Sequence, residues 1–206
     1  MEPLVSVPDG SGGQTLKFRG YASVTDTPYE MSDWLGDYTE TIRGGAFGKT
    51  IAEGADVPFK INHDGMTLAR TKSGTMRLAE DSTGLHVEAD LNPGQSAVRD
   101  LQIAMERGDV DEMSFGFRVV RQEWSPDYMQ RDITEVNLNK GDVSVVNYGA
   151  NPATGGLASL RGLDSADWTE EELRDALRRL EARLKSPAEP TPDLSLYGAR
   201  LRALNL

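Results

Sequence analysis

The 206-residue chain contains no cysteine, which excludes disulfides, thiolate catalysis and cysteine-bound zinc. It has only two histidines, His63 and His86, so any chemistry that needs an imidazole falls to one of them. Positive charge is scarce: 22 Lys and Arg stand against 33 Asp and Glu, for a net charge of −11. Such a chain repels phosphate backbones, and no basic patch offsets this, so no nucleic-acid partner is expected. Long apolar runs are missing too. The longest are a few residues, against the ~20 that a membrane helix needs, so no membrane partner is expected. The N-terminal MEPLVSVPDGSGGQTL lacks the basic and apolar regions of a secretory signal. No metal site or cofactor is expected. The phosphate-loop look-alike Arg43-Gly-Gly-Ala-Phe-Gly-Lys-Thr50 has Arg43 where that loop requires glycine, and the polar DYTETI feeds it; it reads as a turn opening a short helix near Ala46 to Ala52.

What remains is globular in composition, with 38% hydrophobic and 27% charged residues. Residues 1–14, rich in Gly, Pro and Ser, read as a flexible arm. Period-two alternation predicts strands over Leu16–Val24, Val57–His63, Thr75–Ala79, Leu85–Leu91 and Met113–Val120. Tyr38–Arg43 reads as a short strand, and Thr25–Gly36 as a polar loop. Ile133–Leu138 and Asp142–Val146 read as a strand pair across an Asn139-Lys140-Gly141 turn. Pro93–Gly108 is predicted helical, with Val98, Leu101 and Met105 as its stripe and Gly108 ending it. Many short strands and few helices predict a mainly β, α+β fold, a β-barrel core with helices outside. The composition shifts near residue 162. Residues 163–206 read as a helix over Trp168–Lys185, a proline-rich linker and a Leu-rich tail, separate from a domain over 15–162.

Three residues stand out for chemistry. His63 ends an apolar strand face shared with Val57, Phe59 and Ile61, where a general base would sit, but on the residues alone the reading is a hydrogen-bonded structural histidine. His86 alternates with the apolar face of its strand and reads as solvated. Ser114 shares a strand face with Gly116, whose missing side chain leaves room for a bound peptide; taken alone, it reads as a structural strand serine. Asp142 takes the strand face opposite Val143 and Val145; its other reading is an ordinary charge at a turn exit. The tight Tyr148–Pro152 loop offers backbone amides able to hydrogen-bond a developing oxyanion.

Together, Phe18-Arg-Gly-Tyr-Ala-Ser23, Arg43-Gly-Gly-Ala-Phe47, Ile61-Asn-His-Asp64, Gly84-Leu-His-Val87, Met113-Ser-Phe-Gly-Phe117 and Asp142-Val-Ser-Val-Val-Asn-Tyr-Gly-Ala-Asn-Pro-Ala153 resemble the prohead maturation proteases of tailed bacteriophages, the HK97-like family. The resemblance spans roughly residues 16–161. It implies a herpesvirus-protease-like barrel and a serine endopeptidase that cleaves capsid and scaffold segments. His63 would be the base, Ser114 the nucleophile and Asp142 the residue orienting His63. Many relatives have Glu in place of Asp142, and often Leu in place of Gly141. By position, Gly149, Ala150 and Asn151 would form the oxyanion loop. The implied partners are the phage major capsid protein, scaffold segments and a second copy of the chain, inside an assembling prohead in the host cytoplasm. The competing expectation is a non-catalytic capsid-assembly or scaffold protein on the same fold.

Overall fold

The structure is a computed structural model that describes residues 5–8, 14–33, 36–149, 174 and 177–182. Its elements run β1 (Val5–Pro8), β2 (Gln14–Val24), β3 (Tyr29–Asp33), β4 (Gly36–Ile42), α1 (Gly48–Ala52), β5 (Pro58–Ile61), β6 (Asp64–Arg70), β7 (Met76–Glu80), β8 (Gly84–Leu91), α2 (Ser96–Arg107), β9 (Glu112–Trp124) and β10 (Gln130–Val146). The chain divides into units over 1–161 and 162–206. In the second, Arg174 and residues 177–182 are helical, within the helix expected over Trp168–Lys185. The linker and tail lie outside the described residues. No helix among the described residues is long and apolar enough to cross a membrane.

The fold is mainly β with few helices. The described strands form two sheets, ordered β1-β2-β8-β7 and β3-β4-β10-β5-β6, with β9 also paired to β10. Residues 5–8, expected within a flexible arm, pair antiparallel with β2. Alternation explains β8: Leu85, Val87, Ala89 and Leu91 are buried, while His86, Glu88 and Asp90 lie on the other face. That face carries a charge ladder in which Asp90 takes Lys17 and Arg77, and Glu88 takes Arg19 and Arg77. Phe18 meets Phe59 edge-on at 4.8 Å, joining the two sheets through one core. Each such fully buried side chain contributes about 1.5–3 kcal/mol. In α2, Val98 and Leu101 are buried, and Gly108 takes the left-handed conformation (φ 74°) that ends the helix.

Four departures from the sequence reading bear on the strands around the site. Tyr29–Asp33, read as loop, is the edge strand β3, and Asp64–Arg70, not foreseen, is β6. The strand expected to run through His63 stops at Ile61, because Asn62 and His63 both adopt positive φ. The two strands expected on either side of Asn139-Lys140-Gly141 are one, the 17-residue β10. Lys140 (φ 66°) does not turn the chain back; its amide donates to the Asp56 carbonyl, and the pairing with β9 resumes at Asp142–Gly116. The irregularity is a bulge, which keeps the strand running while re-aiming its side chains. β9 follows β10 antiparallel along its length, whereas β4 and β5 each pair parallel with one part of its other edge.

The phosphate-loop look-alike is filled by the chain's own carboxylates. Glu80 accepts from the Gly45 and Phe47 amides at 2.8 and 3.2 Å, and Asp26 from the Gly44 amide at 3.3 Å. The loop therefore serves as an intramolecular anion cradle leading into α1.

A buried polar cluster braces β3, β4 and β10. Glu40, 2% exposed, accepts from the Tyr29 hydroxyl at 2.6 Å and from Arg131 at 2.9 Å. Burial, and then the Glu40 charge, raise the Tyr29 pKa well above its ordinary value. Folded Tyr29 therefore keeps its proton where an unfolded tyrosine loses one. Its contribution is full below pH ~10 and is lost as pH rises above that, at up to ~1.4 kcal/mol per pH unit. The melting temperature of Tyr29→Phe is expected to fall less steeply between pH 9 and 11 than that of the parent; equal slopes would contradict this.

Candidate active site

The site is built around β10, with the β5–β6 turn on one side and β9 on the other. Ile61 pairs with Asp64, so Asn62 and His63 form a two-residue hairpin turn with φ of 49° and 59°. Positive φ at both central residues is the turn that matches strand twist. Asn tolerates it, but a histidine there costs roughly 1–2 kcal/mol. Surrounding bonds hold the turn. The Asn62 amide donates to the Val145 carbonyl at 2.8 Å, and the Asn62 side-chain oxygen accepts from the Asn147 amide at 3.0 Å. The His63 amide donates to Ser144 Oγ at 3.2 Å.

This turn carries the imidazole onto Asp142. His63 Nδ1 lies 2.7 Å from Asp142 Oδ2, with the two side chains only 11% and 6% exposed. An ionised carboxylate only accepts, so in the neutral imidazole the proton lies on Nδ1 and Nε2 is the acceptor. The shorter acid at this position reaches the ring. Asp64, adjacent to His63, is exposed. Asp132 and Glu135 are taken by Arg43 and Lys49 instead.

Two glycines make this possible. A Cβ on Gly116 would stand 2.6 Å from Asp142 Oδ1, so the space expected to admit a peptide is filled by the carboxylate. A Cβ on Gly141 would stand 1.9 Å from the Gly116 carbonyl oxygen, so only glycine lets the strands approach this closely. Gly116→Ala is expected to displace the carboxylate and slow catalysis at least ~10²-fold, since small misplacements cost that much. Peptide hydrolysis and a melting curve check this; unchanged hydrolysis by a folded Gly116→Ala contradicts it.

Ser114 lies on β9 directly opposite Ser144, as Gly116 lies opposite Asp142. Partners facing one another across an antiparallel ladder have Cβ atoms ~4.5–5.5 Å apart on the same face. Ser114 is half-buried, whereas Ser144 is fully buried. Ser114 and His63 are expected on neighbouring strands; in the structure His63 lies in the β5–β6 turn and Ser114 on β9, with β10 between β5 and β9. Of the expected oxyanion loop, Gly149 donates its amide to Glu112 Oε2 at 3.0 Å, while Ala150 and Asn151 lie outside the described residues. His86 lies beside Tyr21 on the other sheet, away from this cluster.

The sequence reading passed over Asn62 and Ser144. The signal for Ser144 was present: in Asp142-Val-Ser-Val-Val146 the two polar residues alternate with valines and so share a face. With Asp142 and Ser144 both buried, that face is interior.

A buried imidazole–carboxylate pair beside a partly open serine is the arrangement by which hydrolases activate a hydroxyl. Residues 5–167 match the family model described as caudovirus prohead serine protease. The chain is also 33% identical over 171 residues to the prohead protease of Enterobacteria phage HK97, a match covering 82% of this chain and 71% of that one. No solved structure matches it. A family match across most of the chain thus meets a site with the parts of serine hydrolysis, and the chain belongs to the caudovirus prohead serine proteases.

Proposed function

We propose that this serine peptidase cleaves capsid-precursor and scaffold segments inside the assembling prohead, in the host cytoplasm, with Ser114 as nucleophile, His63 as base and Asp142 orienting His63. One observation carries the reading: two side chains 79 positions apart in sequence meet as a buried 2.7 Å pair, beside a strand that presents Ser114. His63 Nε2 takes the Ser114 proton as Oγ attacks the scissile carbonyl, then returns it to the leaving amine. Water repeats the sequence to release the acyl group. Asp142 holds the imidazole in the tautomer that can accept and stabilises the imidazolium. Such acid–base assistance is worth ~10²–10⁴-fold.

The tetrahedral oxyanion is assigned to the amides of Gly149, Ala150 and Asn151. The substrate then competes with the Glu112 carboxylate for the Gly149 amide. Residues 15–162 form the protease domain, and 163–206 an appended helix, linker and tail. The two sheets are the halves of a herpesvirus-protease-like barrel, which β2 and β9, lying alongside one another, would close.

The partners are the major capsid protein, scaffold segments and further copies of this chain. Mixing the purified protein with the capsid precursor of its own phage is the test. Shortened precursor with one new N-terminus, identified by mass spectrometry, supports the reading. Intact precursor that nevertheless assembles only with this chain present overturns it in favour of a non-catalytic scaffold.

A further inference from the structure

The geometry points to Ser144 as the residue that positions the His63–Asp142 pair. The inference rests on the proposed roles of that pair and goes beyond them by naming what holds it in register. Ser144 is fully buried, so it is excluded as a second nucleophile. Its hydroxyl donates to Asp142 Oδ2 at 2.6 Å and accepts from the His63 amide at 3.2 Å. Asp142 Oδ2 is the same oxygen that receives His63 Nδ1 at 2.7 Å. One oxygen atom therefore references both the carboxylate and the histidine backbone, closing a ring of three hydrogen bonds.

Each bond has a distinct consequence. The bond to the carboxylate fixes the rotation of Asp142, so that Oδ2 faces the ring while Oδ1 lies over Gly116. A carboxylate is acceptor-only, so a second donor on Oδ2 shares its charge and limits the proton transfer it can draw from Nδ1. The bond to the His63 amide holds a non-glycine residue at φ 59°, a conformation that persists only where the surroundings impose it. Ser144 sits on β10, paired to β9 and β5 on its two sides, so the ring is anchored to a strand held along both edges. Ser144 touches neither substrate nor the reacting atoms in the proposed mechanism; it acts through His63 and Asp142.

The test combines kinetics with a signature that does not depend on turnover. The hydrogen-bonded Nδ1 proton of His63 gives a low-field proton resonance, assigned by its loss in His63→Ala and recorded in Ser114→Ala protein to prevent self-cleavage. Ser144→Ala is expected to broaden or abolish this resonance and to lower kcat ~10–100-fold with KM within about twofold, the pattern of a lost transition-state interaction. Ser144→Thr, which keeps the hydroxyl, is expected to retain the resonance and most of kcat. If Ser144→Ala does not fold, Ser144→Cys, with its weaker donor, is read in its place and should fall below Thr. A sharp, unshifted resonance in the Ala or Cys variant overturns the inference, as does a Thr variant no better than Ala or Cys. Those results leave the proposed function standing, whereas precursor cleavage by Ser114→Ala would overturn the proposed function itself.

Discussion

Ser114→Ala is expected to leave the fold intact and to lower precursor cleavage by about 10⁵–10⁶-fold, the loss typical when a serine nucleophile is removed. The fold should survive because Ser114 is half-buried and faces Ser144 rather than the apolar cluster of Phe18, Phe59 and Val143. His63→Ala should be nearly as severe, and the double variant no worse than either single one. Residues acting as one unit lose their joint contribution once. The measurement is a time course of precursor shortening alongside thermal melting. Additive losses in the double variant would mean that the two side chains do not act in one step.

Asp142→Asn is expected to lower kcat by ~10⁴-fold with little change in melting temperature. The amide is isosteric, and an NH₂ in the place of Oδ2 donates to Ser144 Oγ where the carboxylate accepted from it, so the bulge and the close strand approach remain. What changes is the tautomer. An Asn side-chain NH₂ turned to Nδ1 favours the imidazole with its proton on Nε2, which cannot accept from Ser114. Loss below tenfold in Asp142→Asn would move the orienting role to another group. The other nearby acids offer little competition, since Asp132 and Glu135 are engaged by Arg43 and Lys49.

The elements that alternation defines well were legible in the sequence. β2 and β8 needed only period-two alternation, and α2 only its stripe and terminal glycine. What escaped was set by backbone conformation and long-range pairing. Asn62 and Asp64-Gly65 are turn-forming residues, but the apolar alternation of Val57, Phe59 and Ile61 continues to His63 and carries the strand reading through them. The bonds that fix the turn come from Ser144, Val145 and Asn147, over 80 residues away. Likewise Asn139-Lys140-Gly141 carries turn-forming residues but is a bulge, because β9 continues beside it and Lys140 finds an acceptor on Asp56. Gly116 shows the same limit. Its lack of a side chain was noticed, but what fills the space, the Asp142 carboxylate, depends on strand register. The pairing of His63 with Asp142 came from family resemblance, and the geometry supplies a physical reason for it.

The most direct measurement of the central claim is covalent. A fluorophosphonate reacts with a serine whose hydroxyl is activated by a neighbouring base, and the adduct is mapped by peptide mass spectrometry. Labelling is expected on Ser114, at one site per chain, and is expected to disappear in His63→Ala while melting stays unchanged. An adduct on Ser144 or any other serine, an adduct on Ser114 that persists without His63, or no adduct in a preparation that cleaves the capsid precursor would contradict the account.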